Sequence, residues 1–220
     1  MDAREILKHV DHTLLRPTAT WPEILTLCVE ALLYKTATVC VPPCYVERIA
    51  SQPGDKPAIC TVIGFPLGYD TTAAKVEAAK TAVAQGASEI DMVVNLADVK
   101  NGDFAAVTKE IAAVKEAIGR HILKVIVETC YLTQEEKIAL CRCVTEGGAD
   151  FIKTSTGFGT GGATLEDIRL FREHIGPGVQ MKAAGGIRTL EDMEAYLREG
   201  CTRIGTSSAV KILTESLRQS

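Results

Sequence analysis

Eight short β-rich runs, each followed by a segment with a helical pattern, constrain the fold of this chain more than any other feature. The runs are apolar and rich in β-branched residues, and several of the segments after them begin at a threonine suited to cap a helix. The predicted strands span residues 9–14, 38–41, 58–63, 89–94, 123–128, a short part of 151–157, 179–184 and 202–205. The predicted helices begin near residue 20 and then cover 45–50, 72–85, 103–118, 133–146, a stretch from 164 onward, 189–198 and 209–217.

This regular alternation predicts one closed (β/α)8 barrel. Strands that alternate with helices form parallel sheets, because each helix carries the chain back to the start of the next strand. The length of 220 residues suits such a barrel, and no linker or change of composition divides the chain. We therefore expect a single barrel domain over residues 1–220. An open doubly wound sheet is the alternative fold, although it has no need of eight evenly spaced units.

Charge and composition exclude several classes of function. The net charge of −4 comes from 24 basic and 28 acidic residues that are spread without runs, so neither a nucleic-acid surface nor a basic membrane face is expected. No apolar run approaches the ~20 residues of a transmembrane helix, and the charged N-terminus does not resemble a signal peptide. We expect a cytoplasmic protein. The 8 cysteines and 4 histidines form no ligand motif, so we expect neither a metal nor a cofactor.

A lysine in the sixth predicted strand is the first candidate for chemistry. Lys153 follows Phe151 and Ile152, and a buried, unpaired ammonium is costly enough that the amine tends to lose its proton. A neutral amine attacks carbonyl carbon. Lys182 lies one strand-helix unit later, so the two lysines would occupy neighbouring strands and each would make the other harder to protonate. The alternatives are a lysine that reaches solvent from an edge strand, or one paired in the core.

Asp91 is the second candidate, because it lies among apolar residues of the fourth predicted strand. In a barrel, the fourth and sixth strands contribute to the same interior layer. A carboxylate beside two lysines suits proton transfer better than inert pairing, and a core ion pair of Asp91 with either lysine is the alternative. Asp11 and Lys124 also fall within strand-like runs, and a second buried pair between them is plausible and compatible with a purely structural role.

Glycine-rich loops after the last two strands predict an anion site. Glycines let backbone N–H groups approach an anion, and the start of the last helix adds its dipole. Phosphate sites of barrels commonly lie in the loops after the seventh and eighth strands. These loops could also simply turn the chain, and Arg188 could be a surface residue. The candidate residues are Gly185, Gly186, Ile187 and Arg188 in one loop, and Gly205, Ser207 and Ser208 in the other.

With these motifs the chain resembles the deoxyribose-phosphate aldolase family over nearly its full length. The resemblance implies a class I aldolase without a metal, which splits 2-deoxy-D-ribose 5-phosphate reversibly into acetaldehyde and D-glyceraldehyde 3-phosphate. It implies that Lys153 forms the Schiff base, that Lys182 tunes it and that Asp91 relays protons. It further implies phosphate contacts from Gly157 and the two glycine-rich loops, small phosphorylated sugar and aldehyde substrates, and a homodimer or homotetramer. The motifs are Asp11-His12-Thr13-Leu14-Leu15, Glu89-Ile90-Asp91-Met92-Val93, Phe151-Ile152-Lys153-Thr154-Ser155-Thr156-Gly157 and Lys182-Ala183-Ala184-Gly185-Gly186-Ile187-Arg188.

The chain departs from that family at two places. Some members have a lysine directly after the Ser-Thr-Gly motif, where this chain has Phe158, and some end in a tyrosine-tipped tail, where it has Gln219-Ser220. The phosphate contact of that lysine is therefore absent here, and phosphate affinity and the proton step at C2 are the two implied properties that these departures affect. Two other functions stay open at this stage: a phosphosugar isomerase with a carboxylate base, and a barrel that only binds a phosphorylated metabolite.

Overall fold

Eight parallel strands close into a barrel, in the order in which they occur along the chain. The computed structural model describes residues 3–217, so the C-terminal Gln219-Ser220 lies outside the described residues. The closed (β/α)8 barrel predicted from the alternation is confirmed, and each predicted strand is found to within two residues at either end. The strands are β1 (Val10–Thr13), β2 (Thr38–Val41), β3 (Ile59–Ile63), β4 (Glu89–Val93), β5 (Ile122–Ile126), β6 (Phe151–Lys153), β7 (Gln180–Ala184) and β8 (Arg203–Thr206).

Helices lie between successive strands, and short 3₁₀ turns occur at Pro43–Tyr45 and Thr129–Tyr131. Two five-residue helices, Ala3–Leu7 and Leu96–Lys100, were not predicted, because so short a segment shows barely one turn of periodicity. None of the described helices combines the length and the apolar character needed to cross a membrane. The helices are α1 (Ala3–Leu7), α2 (Trp21–Tyr34), α3 (Val46–Ala50), α4 (Thr72–Ala84), α5 (Leu96–Lys100), α6 (Phe104–Ile118), α7 (Gln134–Glu146), α8 (Leu165–His174), α9 (Leu190–Arg198) and α10 (Ala209–Leu217).

Local sequence explains where the longer helices begin. Thr20, Thr133 and Thr189 each form a capping box with the acidic residue three positions on. The Thr164 and Asp103 side chains accept hydrogen bonds from backbone N–H groups of α8 and α6. Each cap satisfies a donor that the first helical turn leaves free, and so determines where the chain turns from loop to helix.

The two faces of the strands have different partners. Outward-facing residues such as Ile90, Ile152 and Ile204 are fully buried in the apolar layer between the barrel and its helices. The inward-facing residues include buried carboxylates and basic groups, where barrels usually carry branched aliphatic side chains. The apolar layer therefore stabilises the fold, while the barrel interior is charged. Charges in this position need partners, and those partners define the candidate site.

Candidate active site

Lys153 ends β6 and its side chain points into the barrel, as the sequence predicted. Only 3% of the residue is exposed, and it borders the pocket at the carboxyl ends of the strands. Its Nζ donates to Oδ2 of Asp91 at 2.8 Å. The predicted proximity of β4 and β6 side chains is therefore confirmed.

Lys182 lies beside Lys153, because the two residues are Cα partners in the register of β6 and β7. Its Nζ donates to Oδ2 of Asp91 at 2.7 Å and to Oδ2 of Asp11 at 2.5 Å. Burial alone would lower the pKa of Lys182, but the carboxylates of Asp11 and Asp91 outweigh it and raise that pKa well above its usual range. Its two carboxylate partners therefore favour the protonated form of Lys182 next to Lys153.

Asp91 is the hub of these contacts. Its Oδ1 accepts from Lys124 Nζ at 2.7 Å and from Cys60 Sγ at 3.1 Å, while Oδ2 binds both Lys153 and Lys182. Burial opposes ionisation of this carboxyl, yet the three lysines hold its pKa well below the usual range. Asp91 is thus a carboxylate with no exposed surface and a full set of partners.

A second layer of charges lies towards the amino ends of the strands. Lys124 Nζ is 2.6 Å from Glu89 and 3.6 Å from Asp11, so the contact between Asp11 and Lys124 anticipated from the sequence is present within a larger network. Arg203 binds Asp11 at 2.6 Å and Glu89 at 2.7 Å. Three carboxylates (Asp11, Glu89 and Asp91) therefore face four basic groups (Lys124, Lys153, Lys182 and Arg203). Of these four, Lys153 alone borders the pocket.

The pocket has a volume of about 490 Å³ and lies over Lys153. Every residue predicted for substrate binding lines it, whereas Asp91 and Lys182 lie beneath Lys153 without reaching the pocket surface. Among the described lining residues none is acidic. The predicted residues that line it are Gly157, Gly185, Gly186, Ile187, Arg188, Gly205, Ser207 and Ser208.

Backbone geometry explains why glycine is needed in this pocket. Gly185 and Gly186 have φ angles of +85° and +77°, which side chains rarely tolerate. The loops after β7 and β8 are joined by Thr206, whose Oγ1 donates to the Ile187 carbonyl and accepts from the Ser208 N–H. Ser208 directly precedes α10, so the positive end of that helix faces the same loops.

Arg16 was not singled out in the sequence, and Thr156 and Phe158 were named there without being predicted to bind substrate. Arg16 after β1 lines the pocket, and so do Thr156 and Phe158 after β6. Phe158 is 49% exposed and packs edge-on against Phe65, with ring centroids 5.4 Å apart. No local pattern marks Arg16, because it follows a strand end without a repeat or a motif of its own.

Two cysteines were likewise not singled out. Cys40 and Cys60 are partners in the register of β2 and β3, and their sulfurs lie within 4.8 Å of each other and of a carboxylate oxygen of Asp91. Their separation along the chain hides this proximity. Both oxygens of Asp91 already bind lysines, so the thiols extend the charged network.

The pocket lies at the carboxyl ends of the barrel strands and has a buried lysine at its base. This is the arrangement found in (β/α)8-barrel enzymes. A family model described as DeoC/LacD family aldolase matches residues 5–211. The chain belongs to this family of aldolases.

Individual relatives agree with this assignment. A deoxyribose-phosphate aldolase from Clostridium botulinum (strain Eklund 17B / Type B) is 62% identical over 213 residues, covering 97% of this chain and 96% of the relative. A deoxyribose-phosphate aldolase from Streptococcus pyogenes serotype M4 is 58% identical over 213 residues, which again cover 97% of this chain and 96% of the relative. The structure titled "Unique tetrameric structure of deoxyribose phosphate aldolase from Aeropyrum pernix" has a TM-score of 0.88 at 31% identity, and the match covers 100% of this chain and 94% of that one.

Proposed function

We propose that this chain cleaves 2-deoxy-D-ribose 5-phosphate reversibly into acetaldehyde and D-glyceraldehyde 3-phosphate, through a Schiff base on Lys153. The observation that carries the proposal is the position of Lys153: its Nζ lies at the base of the pocket, bound to Asp91 and beside the cationic Lys182. The curated relatives bear the name of this activity.

The surroundings of Lys153 favour a reactive amine. Asp91 Oδ2 is shared between Lys153 and Lys182, and Lys182 has a second carboxylate in Asp11. Two adjacent cations on one oxygen repel each other. The positive charge of Lys182 is offset by two carboxylates, whereas that of Lys153 is offset by one. Lys153 has one carboxylate partner and borders the pocket, so it is the lysine placed to act as nucleophile.

The reaction follows from this arrangement. The Lys153 amine adds to the C1 aldehyde of the open-chain sugar, and loss of water gives an iminium. The C3 hydroxyl loses its proton, the C2–C3 bond breaks towards the iminium, and D-glyceraldehyde 3-phosphate leaves with an enamine still on the lysine. Protonation at C2 and hydrolysis then release acetaldehyde and restore the amine. Asp91 stabilises the iminium charge, and Asp91 and Lys182 exchange protons with the reacting atoms through the lysine nitrogen or a water.

The pocket loops suit the phosphate end of the substrate. Gly185, Gly186 and Gly205 present backbone at the pocket surface, and Ser207 and Ser208 add hydroxyl donors next to the start of α10. Arg188 adds a guanidinium from the β7 loop. These groups can hold a phosphate without a side-chain cation after Gly157.

Two alternative functions fit less well. A sugar-phosphate isomerase needs a carboxylate base at the reacting carbons, and none of the described residues that line the pocket is acidic. A barrel that only binds its ligand has no need of a lysine held between a carboxylate and a second lysine.

We also propose that the chain assembles into a homodimer or homotetramer. Four apolar side chains on α2 are exposed, and their spacing places them on one face of the helix. A patch of this kind on a globular protein marks an interface. The A. pernix relative is described as tetrameric. The four residues are Leu25, Val29, Leu32 and Leu33.

Reductive trapping tests the proposed chemistry. Incubation with acetaldehyde and borohydride should place an ethyl group on Lys153, which peptide mass spectrometry locates. The Lys153→Leu variant should carry no adduct in the pocket and serves as the matched control. Modification of surface lysines alone would contradict the proposal.

A further inference from the structure

Glu128 is a buried carboxylate near the pocket for which the proposed chemistry has no use. It lies two residues beyond the end of β5, with 2% of the residue exposed, and it does not line the pocket. Its backbone has φ 56° and ψ 66°, the left-handed region. Among the described residues Lys35 is the other non-glycine with positive φ, and that residue caps the end of α2. Strain of this kind persists where surrounding contacts enforce it, often at functional sites.

The shorter hydrogen bonds of the Glu128 carboxylate reach the loop after β6, while the Cys130 thiol lies 4.0 Å from its Oε1. Its carboxylate accepts from the backbone N–H of Thr156, at 3.2 and 3.3 Å to the two oxygens, and from the Thr156 hydroxyl in a short hydrogen bond. The backbones of the two loops are also joined, because the Thr129 N–H donates to the Thr154 carbonyl at 3.0 Å. The left-handed turn at Glu128 thus directs its side chain at Thr156.

These bonds determine what the Thr156 hydroxyl offers to the pocket. Its single proton is donated to Glu128, and its oxygen accepts the Phe158 N–H at 3.0 Å. One lone pair remains, so the hydroxyl can accept a hydrogen bond from a ligand and cannot donate one. Thr156, Gly157 and Phe158 all line the pocket with Lys153. We call residues 156–158 the β6 wall.

The rest of the β6 loop packs closely around the carboxylate. A Cβ added at Gly159 would come within 3.2 Å of the Glu128 carboxyl carbon and 3.0 Å of Cys130 Sγ. The loop therefore packs against Glu128, and little room remains for the side chain to take another position.

We propose that Glu128 is a positioning residue, which holds the β6 wall in place and keeps the Thr156 hydroxyl as an acceptor for a hydroxyl of the sugar substrate. The inference rests on the proposed function for the identity of that substrate. Glutamine reproduces the arrangement only in part, because it carries no charge and has a donating amide group in place of one carboxylate oxygen. In Glu128→Gln the hydrogen bonds to Thr156 lose the charge of their acceptor, and an amide donor takes the place of one of the two oxygens that the Thr156 N–H approaches.

The principal test is steady-state kinetics of Glu128→Gln with deoxyribose 5-phosphate. We expect kcat/KM to fall about 10- to 100-fold, mainly through a higher KM. A loss of this size corresponds to the free energy of a hydrogen bond to a charged group. Acetaldehyde trapping on Lys153 should persist in this variant, since so small an aldehyde does not need the wall. Equal kcat/KM in the variant and the wild type would overturn the inference.

A double-mutant cycle with Thr156→Val separates positioning from general stability. If Glu128 acts through Thr156, adding Glu128→Gln to Thr156→Val should lower kcat/KM by less than about threefold further. Full additivity of the two effects would contradict the inference. Should Glu128→Gln fail to fold, Thr156→Ser and Thr156→Val decide: the serine variant should stay near the wild type, and equal activity of both variants would count against the role of the hydroxyl.

Glu110→Gln is the matched control. Glu110 is also a buried glutamate bonded to a threonine, but it lies on α6, pairs with Lys75 and is absent from the pocket lining. Its replacement should lower the melting temperature and leave kcat/KM within about twofold. The outcomes distinguish the two proposals: absence of the Lys153 adduct in the wild type overturns the proposed function, whereas unchanged kinetics of Glu128→Gln overturns the role of Glu128.

Discussion

Lys153 and Lys182 donate to the same oxygen of Asp91, at 2.8 and 2.7 Å, from neighbouring strands in which they are register partners. The sharing is unequal, because Lys182 has Asp11 as a second carboxylate. One lysine is thereby held as a cation while the other keeps a single partner and borders the pocket. This asymmetry assigns different roles to two residues of the same type.

Replacing Lys182 should separate those roles. In Lys182→Met the Asp91 oxygen binds Lys153 alone. The neighbouring positive charge is gone, which favours the protonated, unreactive form of the Lys153 amine. Imine trapping should therefore require a higher pH than in the wild type. Activity on deoxyribose 5-phosphate should fall about 100-fold or more, as for the loss of a group active in proton transfer. Trapping yields measured from pH 6 to 10 check this, with Lys153→Leu as the blank. Identical trapping curves for Lys182→Met and the wild type would refute the tuning role.

Asp11→Asn should expose the contribution of the buried network to stability. The basic partners Lys182, Lys124 and Arg203 outweigh burial and lower the pKa of Asp11, so its stabilising effect is complete above the unfolded-state value and is lost as the pH falls. At pH 7 the variant should lose about 3–5 kcal/mol of unfolding free energy, because basic groups are left buried without their partner.

The pH dependence of that difference provides the check. Between the folded and unfolded pKa values, the advantage of the wild type should shrink by about 1.4 kcal/mol per pH unit as the pH falls below about 3.9. Urea unfolding of both proteins from pH 3 to pH 7 measures it. A difference that stays constant over this range would show that Asp11 is not held as a carboxylate by its neighbours.

Phosphate preference should respond to changes on both sides of the pocket. Phe158 is half-exposed and lines the pocket, so Phe158→Lys adds a cation there and should widen the preference for deoxyribose 5-phosphate over deoxyribose, mainly through KM. Gly186→Ala should narrow that preference about tenfold, because the new side chain strains the loop and lies where the anion approaches.

Gly178→Ala is the control for the glycine substitution. Gly178 has a φ of +94° with open space around its missing Cβ, as Gly186 does, but it lies outside the pocket. The control should lose stability and keep the substrate preference. If Gly186→Ala kept the wild-type ratio of kcat/KM values, the phosphate would have to bind elsewhere.

The exposed face of α2 should determine the oligomeric state. Val29 and Leu33 are 62% and 68% exposed, so glutamates at both positions would disrupt an apolar interface without entering the core. Light scattering should show a dimer or tetramer for the wild type and a smaller species for the double variant. Leu67→Glu, at an equally exposed apolar position in the loop after β3, should keep the wild-type mass. A monomeric wild type would contradict the proposal.

The parts of this protein that could be predicted from its sequence depend on local periodicity. Strand and helix patterns predicted the barrel, and the barrel then placed Lys153, Lys182 and Asp91 near one another. The αL turn at Glu128 could not be predicted, because the strand-like pattern of 123–128 continues through it while β5 ends at Ile126. The side chain of Arg16 was missed for a related reason: its place in the pocket depends on the closure of β1 against β8.

Closure of the barrel also bears on when the charged interior can form during synthesis. Asp11 lies on the first strand, and its partners Lys182 and Arg203 lie 171 and 192 positions further along the chain. A nascent chain that lacks its last two strands leaves this carboxylate with Lys124 as its one basic neighbour. Such a chain gains little by burying Asp11, since an uncompensated charge in a core is costly. The final strands therefore complete the pairing of the first, and the ribosome must release nearly the whole chain before the amine of Lys153 acquires its working surroundings.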